Sequence, residues 1–167
     1  YFGLNETAIG NWRTFAKLSP PLRSEADRQA IVAGLADGTI DAVASDHAPQ
    51  DQEEKRLPFI QAEPGAVGVE TLLPLLLELV HGKKLTLGAA LSLVTTRPAE
   101  ILGLPRGKLT KGLPADLTLI DLDTPWKIDE ASLRSKSKNT PFGGRPVQGR
   151  AIRTMVAGKM VFVRESQ

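Results

Sequence analysis

Few residues in this sequence are equipped for chemistry, and Asp46 is the best placed of them. It follows a short, almost uncharged run at 40–45 (IDAVAS) that reads as a buried parallel strand, and it opens the polar tetrapeptide Asp46-His47-Ala48-Pro49. A carboxylate at the carboxyl end of such a strand can bind a metal ion or accept a proton from an activated water. The same residue type also caps turns, because its short side chain bonds nearby backbone. Position alone weighs these two readings equally. His47 points to the opposite side of an extended chain, so the pair is poorly arranged to chelate one ion. It reads as a local hydrogen-bonding group, and His81, beside Gly82 at a helix end, as a cation-tolerant helix terminus.

Three further features carry weaker signals. Ser19-Pro20-Pro21-Leu22-Arg23 is a rigid extended segment ahead of a helix. Arg23 either clamps a carboxylate through its planar fork or, the commoner case, is an exposed arginine at a helix entry. Gly65 and Gly68 either admit a ligand close to the backbone or simply make turns. The runs Glu53-Glu54-Lys55-Arg56 and Lys83-Lys84 read as solvated surface. The sequence holds no P-loop, GxGxxG, HExxH or GxSxG pattern.

Composition narrows the chemistry further. The 167 residues include no Cys and two His, which excludes a disulfide scaffold, a cysteine nucleophile and any Cys-ligated metal site. A catalytic zinc takes about three protein ligands, more than these residues readily offer. The absence of Cys is compatible with a reducing cytoplasm. The longest apolar run, 72–80, is interrupted by Pro74 and Glu78 and is too short to span a bilayer. No signal-peptide layout opens the chain, which starts at Tyr1 and reads as a processed or partial chain.

The elements that must position Asp46 follow from the pattern around it. Ser24 predicts a helix start, with Asp27 completing a weak capping box, Ile31, Val32 and Leu35 at helical spacing, and Gly38 as the stop. Helix, strand and then a polar cluster is the layout of an α/β barrel or open sheet, whose active sites lie at strand carboxyl ends. Residues 50–66 form a long polar loop, of a length that is usually functional or mobile. Residues 69–81 are apolar nearly all round and predict a buried helix, with Pro74 tolerated early or kinking it. Helices are also predicted at 86–94 and 98–102. Beyond Gly103 the period falls to two, with a strand at 115–123 and a hairpin at 150–164 turning at Ala157-Gly158.

The chain therefore divides into an α/β portion at 1–103 and a β portion at 104–167 with about four strands. The first has too little sheet to bury 69–80 on every side, and the second leaves exposed edges, so both read as pieces of a larger fold. Charge divides the same way: nine Lys/Arg against thirteen Asp/Glu in 1–103, and twelve against six in 104–167. The basic tail residues are spread through turns rather than interleaved with aromatics, which argues against nucleic acid.

Three segments then match a known family in order and spacing. Ser19-Pro-Pro-Leu-Arg23, Ser45-Asp-His-Ala-Pro49 and Pro64-Gly-Ala-Val-Gly-Val-Glu-Thr71 resemble the latter half of dihydroorotases. Gly107-Lys-Leu-Thr-Lys-Gly-Leu-Pro-Ala-Asp-Leu117, Thr140-Pro-Phe-Gly-Gly144 and Thr154-Met-Val-Ala-Gly158 are similar to the same family. The Gly-x-Pro-Ala-Asp-Leu type segment is shared widely among amidohydrolases, whereas the Pro-Pro-Leu-Arg and Asp-His-Ala-Pro pair is more specific to dihydroorotases. The resemblance implies an α/β fold: the C-terminal part of a (β/α)₈ TIM barrel, with strands of a small β-sandwich built from both chain ends. It implies a cytoplasmic enzyme of pyrimidine biosynthesis that interconverts N-carbamoyl-L-aspartate and dihydroorotate with a metal-activated water.

By the same resemblance, Asp46 ligates the metal and shuttles the proton to the leaving nitrogen. Ser19, Gln50, Pro64 and Gly65 occupy the positions that contact substrate. The cofactor implied is zinc, one or two ions, with a His-x-His pair and a carboxylated lysine supplied from outside this chain, so that the chain alone is inactive. The partners implied are the small-molecule substrate and a homodimer mate or aspartate transcarbamoylase, with no nucleic acid and no membrane. Two positions depart from the family pattern: Ser19 stands where an Asn is typical, and Gln50 where a His is typical. The alternatives are a non-catalytic dihydroorotase-like subunit that scaffolds aspartate transcarbamoylase, and a related hydantoinase or allantoinase.

Overall fold

The computed structural model describes residues 1–165 and contains two compact units. One comprises 1–40, 44–72 and 127–146, and the other 41–43, 73–126 and the chain from 147 onward.

Helix α1 (Glu25–Asp37) of the first unit starts and stops where its local chemistry dictates. The Ser24 hydroxyl accepts the Asp27 amide at 3.2 Å while the Asp27 carboxylate accepts the Ser24 amide, so two of the free donors of the first turn are satisfied. Gly38 ends the helix at φ 84°, a conformation that costs other residues a Cβ clash. Helix α2 (Gln52–Arg56) interrupts the stretch expected to be one continuous loop. Asp51 caps it, its carboxylate accepting the Glu53 amide at 2.8 Å. The unit's core gathers Ala16, Leu22, Leu35, Ala62, Val67, Ile128 and Leu133, together with the buried polar residues Lys55, Thr71, Asn139 and Thr140.

Residues 40–45 are not a strand. A strand exists only through a neighbour that takes its hydrogen bonds. Here the Ile40 amide turns back to the Gly34 carbonyl at 2.9 Å, within the first unit, and no strand flanks the run among the described residues.

The second unit is organised by helix α3 (Leu72–His81), which begins three residues later than the apolar run implies. Val69 is left 59% exposed. Pro74 occupies the third helical position, where an amide would lack an intrahelical partner anyway, and the helix accepts it without a break. Leu75, Leu76, Leu77 and Leu79 are buried, each contributing roughly 1.5–3 kcal/mol of transfer free energy. Helices α4 (Leu87–Ser92, capped by Thr86) and α5 (Thr96–Ile101) follow.

Three strands, β1 (Leu117–Lys127), β2 (Pro146–Val156) and β3 (Lys159–Val163), form one sheet in the order β1-β2-β3. That is one strand fewer than expected in the β portion, among the described residues. The helix meets the sheet at Gly149, where a Cβ would lie 2.4 Å from the Leu77 side chain. The β2–β3 hairpin turns on Ala157 (φ 49°) and Gly158 (φ 77°), the two positive φ values of a two-residue turn that matches strand twist.

Candidate active site

The sequence-predicted site residues lie in the first unit, on three backbone stretches that run beside one another. The Ala48 amide donates to the Ala66 carbonyl at 2.8 Å, and His47 pairs with Ala66 as an isolated parallel bridge. The Gly65 amide donates to the Lys17 carbonyl at 2.9 Å, which brings in the segment leading to Ser19. Two glycines permit this approach. At Gly65 the backbone has φ 127°, and an added Cβ would lie 2.9 Å from that of Ala48. At Gly68 a Cβ would lie 2.5 Å from the Ser45 carbonyl oxygen, well inside contact distance.

Asp46 leaves this strip in a left-handed conformation, φ 42°, which costs a residue with a side chain about 1 kcal/mol and is tolerated best by Asp and Asn. The residue is exposed, and no donor among the described residues bonds its carboxylate. Its charge is felt by a neighbour. The Tyr1 hydroxyl donates to the Pro20 carbonyl at 2.6 Å. Partial burial, and then the Asp46 carboxylate, raise that phenol above its usual range. Tyr1 thus bonds the Ser19-Pro20 segment and senses the Asp46 charge. His47 is the local hydrogen-bonding group its position implied: Nδ1 accepts the Gly68 amide at 3.1 Å.

Gln50, Pro64 and Gly65 touch directly. The Gln50 side-chain amide donates to the Pro64 carbonyl at 2.9 Å. Ser19 is exposed and is joined to Pro20 by a cis peptide bond, two residues beyond the carbonyl that receives Gly65. Arg23 is the exposed helix-entry residue, 3.8 Å from Asp27.

Three residues outside the predicted site hold these stretches in place. Asn139 is 2% exposed, and its side-chain nitrogen donates to the carbonyls of Ala48 (3.3 Å) and Gly65 (3.1 Å) while its oxygen accepts the Gln50 amide (3.3 Å). Lys55, expected at the surface, is 2% exposed. Its ammonium donates to the carbonyls of Thr14 (3.0 Å) and Glu63 (2.7 Å), and burial, then the nearby Lys17 charge, lower its pKa. Lys17 closes the turn before Pro64 by donating to the carbonyls of Phe59, Ile60 and Ala62 at 2.8, 3.1 and 2.6 Å. A long side chain that keeps its stem in apolar contact while its head meets carbonyls is compatible with burial, and residue type alone does not reveal it. A cavity of about 870 Å³ beside these lysines, lined by Trp12, Leu57, Phe59 and Ile60, includes none of the predicted site residues.

The described residues bring no three His, Cys, Asp or Glu side chains together. No helix among them is long and apolar enough to cross a membrane.

The match to known proteins defines the class. The amidohydrolase family model matches residues 15–161, and the chain belongs to that family, with an α/β amidohydrolase fold. Two relatives named dihydroorotase, from Anaplasma phagocytophilum (strain HZ) and a Wolbachia of Brugia malayi (strain TRS), are 52% and 49% identical over 97% of this chain. The chain spans 36% and 37% of their respective lengths. Among solved structures, an L-hydantoinase (dihydropyrimidinase) from Arthrobacter aurescens superposes with a TM-score of 0.92 at 32% identity, over 99% of this chain and 38% of that one.

Proposed function

We propose that the chain is the carboxyl-terminal part of a dihydroorotase, interconverting N-carbamoyl-L-aspartate and dihydroorotate within a longer protein. In this reading 1–103 completes a (β/α)₈ barrel and 104–167 contributes to a small β-sandwich. The observation that carries it is the Asp46 carboxylate, exposed, unbonded among the described residues and set in a left-handed turn beside Pro64-Gly65. About half-identity to relatives named dihydroorotase supports the ring substrate.

Asp46 fits a divalent metal, zinc in this reading, as one of its ligands, and a bound metal would supply Lewis-acid activation of water and of the ring carbonyl. The chain's own residues do the rest. Asp46 takes the proton of the attacking water and delivers it to the ring nitrogen as the amide bond breaks. Pro64 has no amide hydrogen and that of Gly65 is committed to Lys17, so this stretch offers carbonyls rather than donors. Each carbonyl keeps a second lone pair beyond its bond from Gln50 or Asn139, suited to accepting a ring N–H. One N–H of the Gln50 amide goes to Pro64, and the other remains for the substrate carboxylate. Ser19 provides a hydroxyl where a longer amide is typical.

In the full-length protein, Asp46→Asn is expected to lower dihydroorotate turnover about 10³-fold with an unchanged circular dichroism spectrum, since an amide cannot take the proton. Near-normal turnover would remove Asp46 from catalysis. The hydantoinase superposition supports a second reading, a hydantoin ring as substrate. Faster hydrolysis of hydantoin than of dihydroorotate by the wild type would establish it. Ser19 and Gln50 support a third, a non-catalytic subunit bound to aspartate transcarbamoylase, which predicts no turnover of either ring.

A further inference from the structure

We infer that Asn139 is a positioning residue, holding the Asp46–Gln50 segment and the Pro64–Gly65 backbone at one fixed separation. The inference rests on the reading of Gln50, Pro64 and Gly65 as substrate contacts. Asn139 lies 89 residues from Gln50 and 74 from Gly65 in sequence, yet one carboxamide engages both. Its nitrogen reaches the carbonyls of Ala48 and Gly65, one on each segment, at 3.3 and 3.1 Å. Its oxygen receives the Gln50 amide at 3.3 Å. The orientation is determined by chemistry: reversed, the nitrogen would face an N–H donor and the oxygen two carbonyls.

A fourth bond ties the backbone of the same residue to the second segment, the Val67 amide donating to the Asn139 carbonyl at 3.1 Å. At 2% exposure, water cannot replace these partners, so this one amide group is a buried brace beside the Ala48–Ala66, Gln50–Pro64 and His47–Gly68 bonds that also join the two segments. The Gln50 amide that Asn139 fixes precedes the side chain bonded to Pro64, and the Gly65 carbonyl it fixes belongs to the accepting stretch. Asn139 touches no reacting atom in this arrangement. It acts through Gln50 and Gly65.

The test uses the full-length protein and two variants. Asn139→Asp is nearly isosteric and keeps an acceptor for Gln50 but loses both donated bonds and sets a buried charge against two carbonyls. Asn139→Leu removes all three side-chain bonds. In both, KM for dihydroorotate is expected to rise about tenfold or more while kcat stays within about twofold, the signature of lost substrate binding rather than lost chemistry. A purely structural role would instead lower the active fraction and melting temperature with KM unchanged, and that result would overturn the inference. Amide hydrogen exchange on the same variants reads the coupling without any substrate. Protection at 46–50 and 64–68 is expected to fall together by about tenfold, and loss in only one segment, or in neither, would also overturn it. A wild type that opens no dihydroorotate ring would sink the proposed function, and the exchange experiment would still decide whether Asn139 couples the segments.

Discussion

The site strip and the β2–β3 hairpin place backbone segments side by side by opposite means. In the hairpin, pairing is a backbone ladder with one register shift: Arg153 opposes Val163, Thr154 opposes Phe162, and after the shift Met155 opposes Met160. A two-residue turn sets that register, and the side chains contribute little, with Met160, Val161 and Val163 about half exposed or more. In the strip, one bridge between His47 and Ala66 is the only regular pairing among the described residues. Apart from single backbone bonds such as Gly65 to Lys17 and Val67 to Asn139, side chains join the stretches, with His47, Gln50, Lys17, Lys55 and Asn139 each bonded to backbone of another segment. A ladder spreads its stability over many equivalent bonds, whereas a few buried polar groups concentrate it and fix an irregular shape. The strip has the irregular backbone that a carboxylate in a left-handed turn requires.

If that contrast holds, the strip should be intolerant of one added methyl. Gly68→Ala places a Cβ 2.5 Å from the Ser45 carbonyl, a contact that only backbone movement can relieve. The expected cost is about 3 kcal/mol in denaturant unfolding of the full-length protein, together with reduced turnover as the Asp46 turn shifts. At Gly158, by contrast, an added Cβ meets nothing within 4 Å, so only its φ of 77° resists substitution. Equal losses at the two glycines would break the comparison.

The same contrast explains which parts of the molecule were readable in the sequence. Helix α1 was readable because its start and stop depend on residues within three positions of each end, Ser24 with Asp27 and then Gly38. The hairpin was readable because Ala157-Gly158 is a local turn signal. Residues 40–45 have the composition of a strand, but being one depends on flanking chain that the described residues do not supply. The ring of amide and ammonium contacts was hidden for a related reason. Lys55 pairs with a carbonyl 41 residues away, and Asn139 with carbonyls 74 and 91 away, so no spacing rule reaches them. Asp46, Gln50 and Pro64-Gly65 could be selected as candidates from short motifs, while what holds them together could not.

The buried lysine sharpens the comparison at intermediate size. Lys55→Met keeps most of the stem's volume and removes the ammonium, leaving the carbonyls of Thr14 and Glu63 without their partner. Two unsatisfied carbonyls outweigh the relief of a desolvated charge, and the expected loss is about 2 kcal/mol. Its pH dependence has a definite sign. The folded-state pKa of Lys55 lies below the unfolded value of 10.5 because burial disfavours the charged form. The unfolded chain therefore binds more protons between the two values, and this residue's contribution favours the fold increasingly as pH rises through its folded pKa toward 10.5. In the Met variant that alkaline rise disappears from the difference between the two unfolding curves. A Met variant as stable as the wild type at neutral pH would show that the segments pack without the ammonium.

The smallest effect lies in the hairpin, where the turn is imperfect in one respect. Ala157 adopts φ 49°, a left-handed conformation in which its Cβ crowds the following carbonyl, and no glycine stands there to avoid the cost. Its amide donates to the Asp116 carboxylate at 2.8 Å, a bond made by backbone and therefore indifferent to the side chain. Ala157→Gly removes the crowding, at about 1–2 kcal/mol, and adds the entropy of a freer unfolded chain, at about 0.5–1 kcal/mol. The net expectation is a gain of roughly 0.5–1 kcal/mol in denaturant unfolding with turnover unchanged, since no site residue depends on this turn. A glycine that destabilised the hairpin would show that Ala157 is held by its side chain after all, and that the two regions are built more alike than their hydrogen bonds indicate.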